Sequence, residues 1–155
     1  MIKRQKVQKG STLIEALVAI LIFSFGILSL VALQAVSIKN SIDAKYRSDA
    51  SYLANQIIGQ IWVDRAHVAD YGHYQTGQLC AFTGSPSANI SPWVTPVTSW
   101  VTQAAGLLPG MSDNKAQVLI TDIGNTKQVK VTLCWKTPQE TSHHNFTVTA
   151  QINLP

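Results

Sequence analysis

The sequence predicts an α+β fold, with one long N-terminal helix packed on a small antiparallel β-sheet head. Three observations lead there. Residues 16–38 form an apolar run of 23 residues without a charge. Apolar residues then recur at helical spacing to position 61, and the last forty residues alternate with period two. About 20 helical residues at 1.5 Å each cross a hydrocarbon core, so the first run is long enough to span a bilayer.

Past Ile38 the chain turns polar but keeps a stripe. Ile42, Tyr46, Ala50, Leu53, Ile57 and Ile61 follow at steps of three and four, the spacing of one helix face. Asp43 with Arg47, and Lys45 with Asp49, stand at i,i+4 on other faces. No proline interrupts residues 11–85, and Gly26 and Gly59 are the only glycines between Ser11 and Tyr71. One helix from about Thr12 to about Ala66 follows, roughly 80 Å long. Its first half is apolar all round, and its second half offers one face to a head domain.

Between Tyr71 and Ala116 the periodicity fails, punctuated by Gly72, Gly77, Gly84, Pro86, Pro92, Pro96, Pro109 and Gly110. A connection this long carries some internal order. Residues 99–108 suit a short helix with Thr98 or Ser99 as N-cap, Pro109-Gly110 as stop, and Trp100, Ala104 and Leu108 on its inner face. Residues 117–123 read as a strand, and Gly124-Asn125 as a turn. Val129, Val131, Leu133 and Trp135 then alternate with Gln128, Lys130, Thr132 and Cys134. After a polar connection over 138–144, Phe146, Val148, Ala150, Ile152 and Leu154 alternate with polar neighbours. Such alternation marks half-buried antiparallel strands. The expectation is a meander of three or four strands whose apolar face lies on the amphipathic half of the helix. Cys134 falls on the other face, toward the loop that carries Cys80.

Charge gives direction. Lys3, Arg4, Lys6 and Lys9 precede the apolar run, and Lys39 is the first charge after it. The positive-inside bias puts the N-terminus in the cytoplasm and the bulk of the chain outside. In an exported protein, the only two cysteines, Cys80 and Cys134, read as one disulfide.

Glu15 is the unusual residue, a lone acid at the mouth of the span. One reading leaves it solvated at headgroup level. The other has it wait for a cation, because ionisable groups in membrane segments are functional by default. A cut after Gly10 creates that cation as the new amino group of Ser11. Between two chains displaced along the helix axis, this amine and the Glu15 carboxylate meet at low dielectric, where their attraction is strong. An ordinary signal peptide is the competing reading. It has a 7–15-residue apolar core with a small-residue cut behind it. The core here is longer, and Ala35-Val36-Ser37 is a weak cleavage candidate.

Gly10, the following Thr12-Leu13-Ile14-Glu15 and the apolar stretch resemble the prepilin signal of type IV pilins and type II secretion pseudopilins. That family usually has Phe after the cut, where this chain has Ser11. The run from Leu17-Val18-Ala19 through Gly26-Ile27-Leu28 to Ala32-Leu33-Gln34 looks most like PilV-type minor pilins. Tyr46-Arg47-Ser48, Leu53-Ala54 and Leu108-Pro109-Gly110 fit that subgroup too.

The resemblance implies a pilin fold with residues 1–10 as cleaved leader, 11–38 as transmembrane and assembly half of the helix, and 39–155 as exported head. It implies cleavage between Gly10 and Ser11 by a prepilin peptidase, N-methylation of Ser11, and a part for Glu15 in assembly. The implied partners are other major and minor pilins. The implied location is the bacterial inner membrane, with a periplasmic head, and then the pilus.

The four leader cations leave with residues 1–10, so eight Lys+Arg remain against eight Asp+Glu. Bulk charge then gives no reason to expect nucleic-acid binding.

No catalytic motif, whether nucleophile elbow, phosphate-binding loop or paired-histidine zinc helix, is present, so no enzyme activity or cofactor is expected. His67, His73, His143 and His144 lack the spacing of a metal site and read as solvated turn residues. Trp62, Trp93, Trp100 and Trp135 read mainly as core, with Trp93, between Pro92 and Pro96, the best candidate for an adhesive surface. Asn89-Ile90-Ser91 and Asn145-Phe146-Thr147 match the N-glycosylation pattern by chance.

Three classes of function remain: a minor pilin, or its relative the minor pseudopilin of type II secretion; a membrane-anchored binding domain that never assembles; and a signal-anchored enzyme. The second leaves Gly10 and Glu15 unexplained, and the third has no catalytic constellation.

Overall fold

The computed structural model describes residues 11–87 and 94–154. The chain divides into two compact units after Asp43. A single helix, α1 (Ser11–Val63), begins in the first unit and ends in the second.

In the first unit, α1 is exposed at every residue from 11 to 42. Serine hydroxyls inside the apolar run turn back onto the helix backbone. Ser24 Oγ donates to the Ile20 carbonyl at 2.7 Å, and Ser29 Oγ to Phe25 at 2.9 Å. Polar groups satisfied within their own helix are the kind a lipid environment accepts.

The second unit contains the core. Ala50, Leu53, Ala54, Ile57, Ile58 and Ile61 of α1 are buried with Val118, Val129, Val131, Leu133, Trp135 and Ile152 of the sheet. The expected stripe is therefore the buried one from Ala50 on, while Tyr46 packs at its margin and Ile42 lies outside it. Lys45 and Asp49 stand 3.9 Å apart on the outer side.

The helix stops three residues earlier than the sequence suggests. Asp64 leaves the helical region at φ −106°, ψ 43°. Its carboxylate takes His67 Nδ1 at 2.6 Å and the Tyr71 hydroxyl at 3.2 Å, which organises the 3₁₀ segment Arg65–Tyr71. Burial, with the Asp64 charge and hydrogen bond, pushes the Tyr71 phenol up to about 12.

A short hairpin follows, β1 (Thr76–Gln78) and β2 (Ala81–Thr83). Helix α2 then spans Val94–Leu107. It starts four or five residues before the expected N-cap at Thr98 or Ser99, because Pro96 falls in the first turn, where a missing N–H costs no helical bond. Trp100, Ala104 and Leu108 are buried as expected, and Trp100 Nε1 donates to the Leu53 carbonyl of α1 at 2.8 Å.

Gly110 closes the connection at φ 63°. A Cβ there would stand 2.6 Å from the Lys136 carbonyl oxygen, so only glycine fits.

The sheet is a three-stranded antiparallel meander: β3 (Ala116–Ile123), β4 (Thr126–Trp135) and β5 (His144–Asn153). Ile123 pairs with Thr126 across the two-residue loop Gly124-Asn125. Gly124 takes φ 58°, as the first position of a type II′ turn requires. Val129, Val131, Leu133 and Trp135 point into the core. The C-terminal half of β4 departs from the expected half-buried pattern. Thr132 and Cys134 on its other face are buried as well.

Leu133 is fully enclosed, so truncation leaves a cavity. Leu133→Ala is expected to destabilise the head by about 2–5 kcal/mol, measured by denaturant unfolding of the detergent-solubilised chain through tryptophan fluorescence.

Candidate functional site

Ser11 is the first residue of α1, and Glu15 stands one turn further on the same side of the helix. Gly10 and the rest of residues 1–10 lie outside the described residues. Glu15 is exposed, and among the described residues it has no ion-pair partner. Around and behind it Leu13, Leu17, Phe23, Phe25 and Leu33 each leave more than half of their surface open. A Cβ on Gly26 would touch nothing within 4 Å. The first unit is thus an apolar rod with one carboxylate near its amino end. It can enter a membrane, and it can pack against other rods.

In the head, Cys80 and Cys134 form a disulfide with Cα atoms 5.4 Å apart. Cys80 occupies the turn between β1 and β2 at φ 63°, a conformation uncommon for any residue but glycine. The Lys115 ammonium donates to its carbonyl. Phe82, Cys80 and Cys134 make a small second core with Tyr74 at its edge. The hairpin thereby covers the face of β4 opposite the main core.

The four histidines do not converge. His67 pairs with Asp64. His144 Nε2 lies 2.9 Å from Glu140, and its ring stacks on Trp135 at 5.8 Å. Glu140 also accepts from Thr137 Oγ1 at 2.8 Å, and the Thr137 and His144 bonds hold its carboxyl down at about 2. Burial, then Lys115 and Lys136, lower His143 below its ordinary value.

His73 corrects the reading of solvated turn histidines most directly, for it is 1% exposed. Trp100 and Trp135 are core, whereas Trp62 is 44% exposed on α1. Trp93 and Asn89-Ile90-Ser91 lie outside the described residues. Asn145 and Thr147 sit within β5.

Sequence periodicity did not reveal the hairpin or the 3₁₀ turns Arg65–Tyr71 and Asp113–Lys115. A signal was available in the glycines Gly77 and Gly84 that bracket Cys80, and both take positive φ in the structure.

Residues 5–31 match the family model described as the prokaryotic N-terminal methylation motif. That motif supports a type IV pilin-like or pseudopilin protein, processed at its N-terminus, and its apolar helix is consistent with membrane anchoring. No curated protein and no solved structure matches the chain significantly.

The disulfide yields a direct test. The unfolded, unreduced chain should show no thiol open to alkylation. Reduction should lower stability by about 4 kcal/mol, the chain-entropy value for a loop of this length, in a denaturant titration.

Proposed function

We propose that this protein is a minor pilin subunit of a type IV pilus, a structural component that acts in assembly, priming or modification of the fibre. The observation that carries the reading is the methylation motif over residues 5–31, continued by an exposed apolar helix with a single acid at position 15. In this reading residues 1–10 are the leader and 11–38 the transmembrane and assembly segment. Residues 39–155 are the periplasmic head, later displayed on the pilus. A prepilin peptidase cuts between Gly10 and Ser11 and methylates the Ser11 amine.

The Ser11 amine of one subunit then meets Glu15 of its neighbour among packed stems. Lipid resembles leucine too closely to drive helices together hydrophobically, so packing and polar pairing must do so. In such surroundings a matched pair directs docking, and a carboxylate left without a partner is expensive. The same N-terminal segment suits a minor pseudopilin of a type II secretion system, which would use the same cleavage and pairing. The head's Cys80–Cys134 bond suits an oxidising periplasm or exterior. An adhesive role for the head would rest on Trp93.

Two experiments test this. Intact-mass spectrometry of membrane-extracted protein should show loss of residues 1–10, with or without one methyl group, and Gly10→Val should abolish the cut. A mature N-terminus near Ser37 would instead establish an ordinary signal peptide. Glu15→Gln keeps the side-chain shape and removes the charge. It should leave membrane insertion and head folding intact while incorporation into sheared pili falls at least about tenfold, given the 3–5 kcal/mol typical of a broken buried pair. Wild-type incorporation of Glu15→Gln would mean that the stem anchors without ion pairing.

A further inference from the structure

His73 is the one fully buried titratable side chain among the described residues outside the disulfide. It stands where three pieces of chain meet. Its backbone N–H and C=O exchange hydrogen bonds with Val118 on the outer edge of β3, both at 3.0 Å. Its Nδ1 accepts the Ser87 backbone N–H at 3.0 Å. Its Nε2 lies 3.4 Å from both the carbonyl and the carboxylate of Asp113, at the 3₁₀ turn that leads into β3. Tyr74 packs edge-on at 4.7 Å and sends its hydroxyl to the same Asp113 carboxylate. The Ser87 side chain adds no further tie, since its Oγ is buried without a hydrogen-bond partner among the described residues.

These bonds fix the tautomer. A ring nitrogen that accepts an N–H carries no proton, so His73 is neutral with its hydrogen on Nε2, facing Asp113. Adding a proton places an N–H on Nδ1 directly against the Ser87 N–H. Two donors then oppose each other in a buried space, and one backbone hydrogen bond is lost.

We propose that His73 is an acid-sensitive latch: while neutral it holds the Ser87 backbone beside β3, and on protonation it releases the Ser87 contact while the Cys80–Cys134 bond keeps the hairpin attached. The facing groups act in opposite senses. Burial pushes the imidazole below its ordinary 6.5, and the Asp113 carboxylate partly restores it. Tyr74 is neutral in this range. The contribution of the latch is therefore complete above pH 6.5, where the unfolded ring is neutral too. It is lost as pH falls through the lower, folded value.

Other parts of the lobe do not titrate with it. Gln117 Nε2 donates to the Tyr74 carbonyl at 2.9 Å, and the Ile120 N–H donates to Gln75 Oε1 at 3.2 Å. Acid should thus open the Ser87 end before it frees the hairpin.

Hydrogen exchange by mass spectrometry on the full chain in detergent tests the latch. After correction for intrinsic rates, peptides containing Ser87 should exchange faster as pH falls, by up to about tenfold per pH unit between pH 6.5 and the lower His73 midpoint, and should level off below it. Peptides from β4 should not change. His73→Asn places an amide oxygen where Nδ1 stands and cannot titrate, so its Ser87 exchange should be flat with pH. Asp113→Asn should move the wild-type transition to lower pH, because it removes the charge that favours the imidazolium.

An unchanged Ser87 profile in the wild type, or the same acid response in wild type and His73→Asn, would overturn the proposal. Should His73→Asn fail to fold, the nitrogen chemical shifts of the wild-type ring decide. A protonated Nδ1 at neutral pH, or a midpoint at or above 6.5, would equally overturn it.

Discussion

A helix whose residues 11–42 bury nothing cannot hold its place through its own fold. Isolated helices in water draw most of their stability from packing of one face, and this segment has no polar face to offer water. It therefore requires apolar surroundings: its length and composition are consistent with lipid, and in the function proposed other helices follow. The requirement explains features that otherwise look unrelated. Serine hydroxyls fold back on the helix's own carbonyls, glycine sits where nothing presses on it, and charge is confined to Glu15 and Lys39, near the two ends of the segment.

The same α1 then changes chemistry without a break. From Ala50 to Ile61 its apolar residues narrow to one side and supply half of a core whose other half is the three-stranded sheet. Trp100 binds α2 to this segment through the Leu53 carbonyl. Everything else in the head is fitted around that contact. The hairpin and its disulfide close the back of the sheet, and the 3₁₀ turn gathered by Asp64 carries the chain off the helix. Small heads gain only modest stability from their cores, and cross-links of this kind supply the remainder.

What was legible in the sequence is what periodicity encodes. The stripe on α1, the inner face of α2 and the alternation in β4 and β5 all depend on repeated burial of one side. What was illegible depends on single side chains acting at a distance. The end of α1 turns on Asp64 reaching His67 and Tyr71, which no propensity records. The start of α2 turns on proline being tolerated in a first turn. The β1–β2 hairpin has strands of three residues, too short to show alternation. Burial of His73 arises from partners 14 and 40 residues away, a separation at which sequence pattern is silent. The apolar run was different: its chemistry lies in local order, so the long exposed helix could be read directly.

The Cys80–Cys134 bond also bears on mechanics. Its two ends are 54 positions apart, and the stretch between them includes α2, β3 and most of β4. If a load were applied between the two ends of the chain, unravelling could extend only the residues outside this ring. Fully drawn out, the enclosed stretch would add about 180 Å of length, and the covalent link withholds all of it. A chain so tied is a shorter tether under tension, able to lose the folded contacts inside the ring without releasing that length.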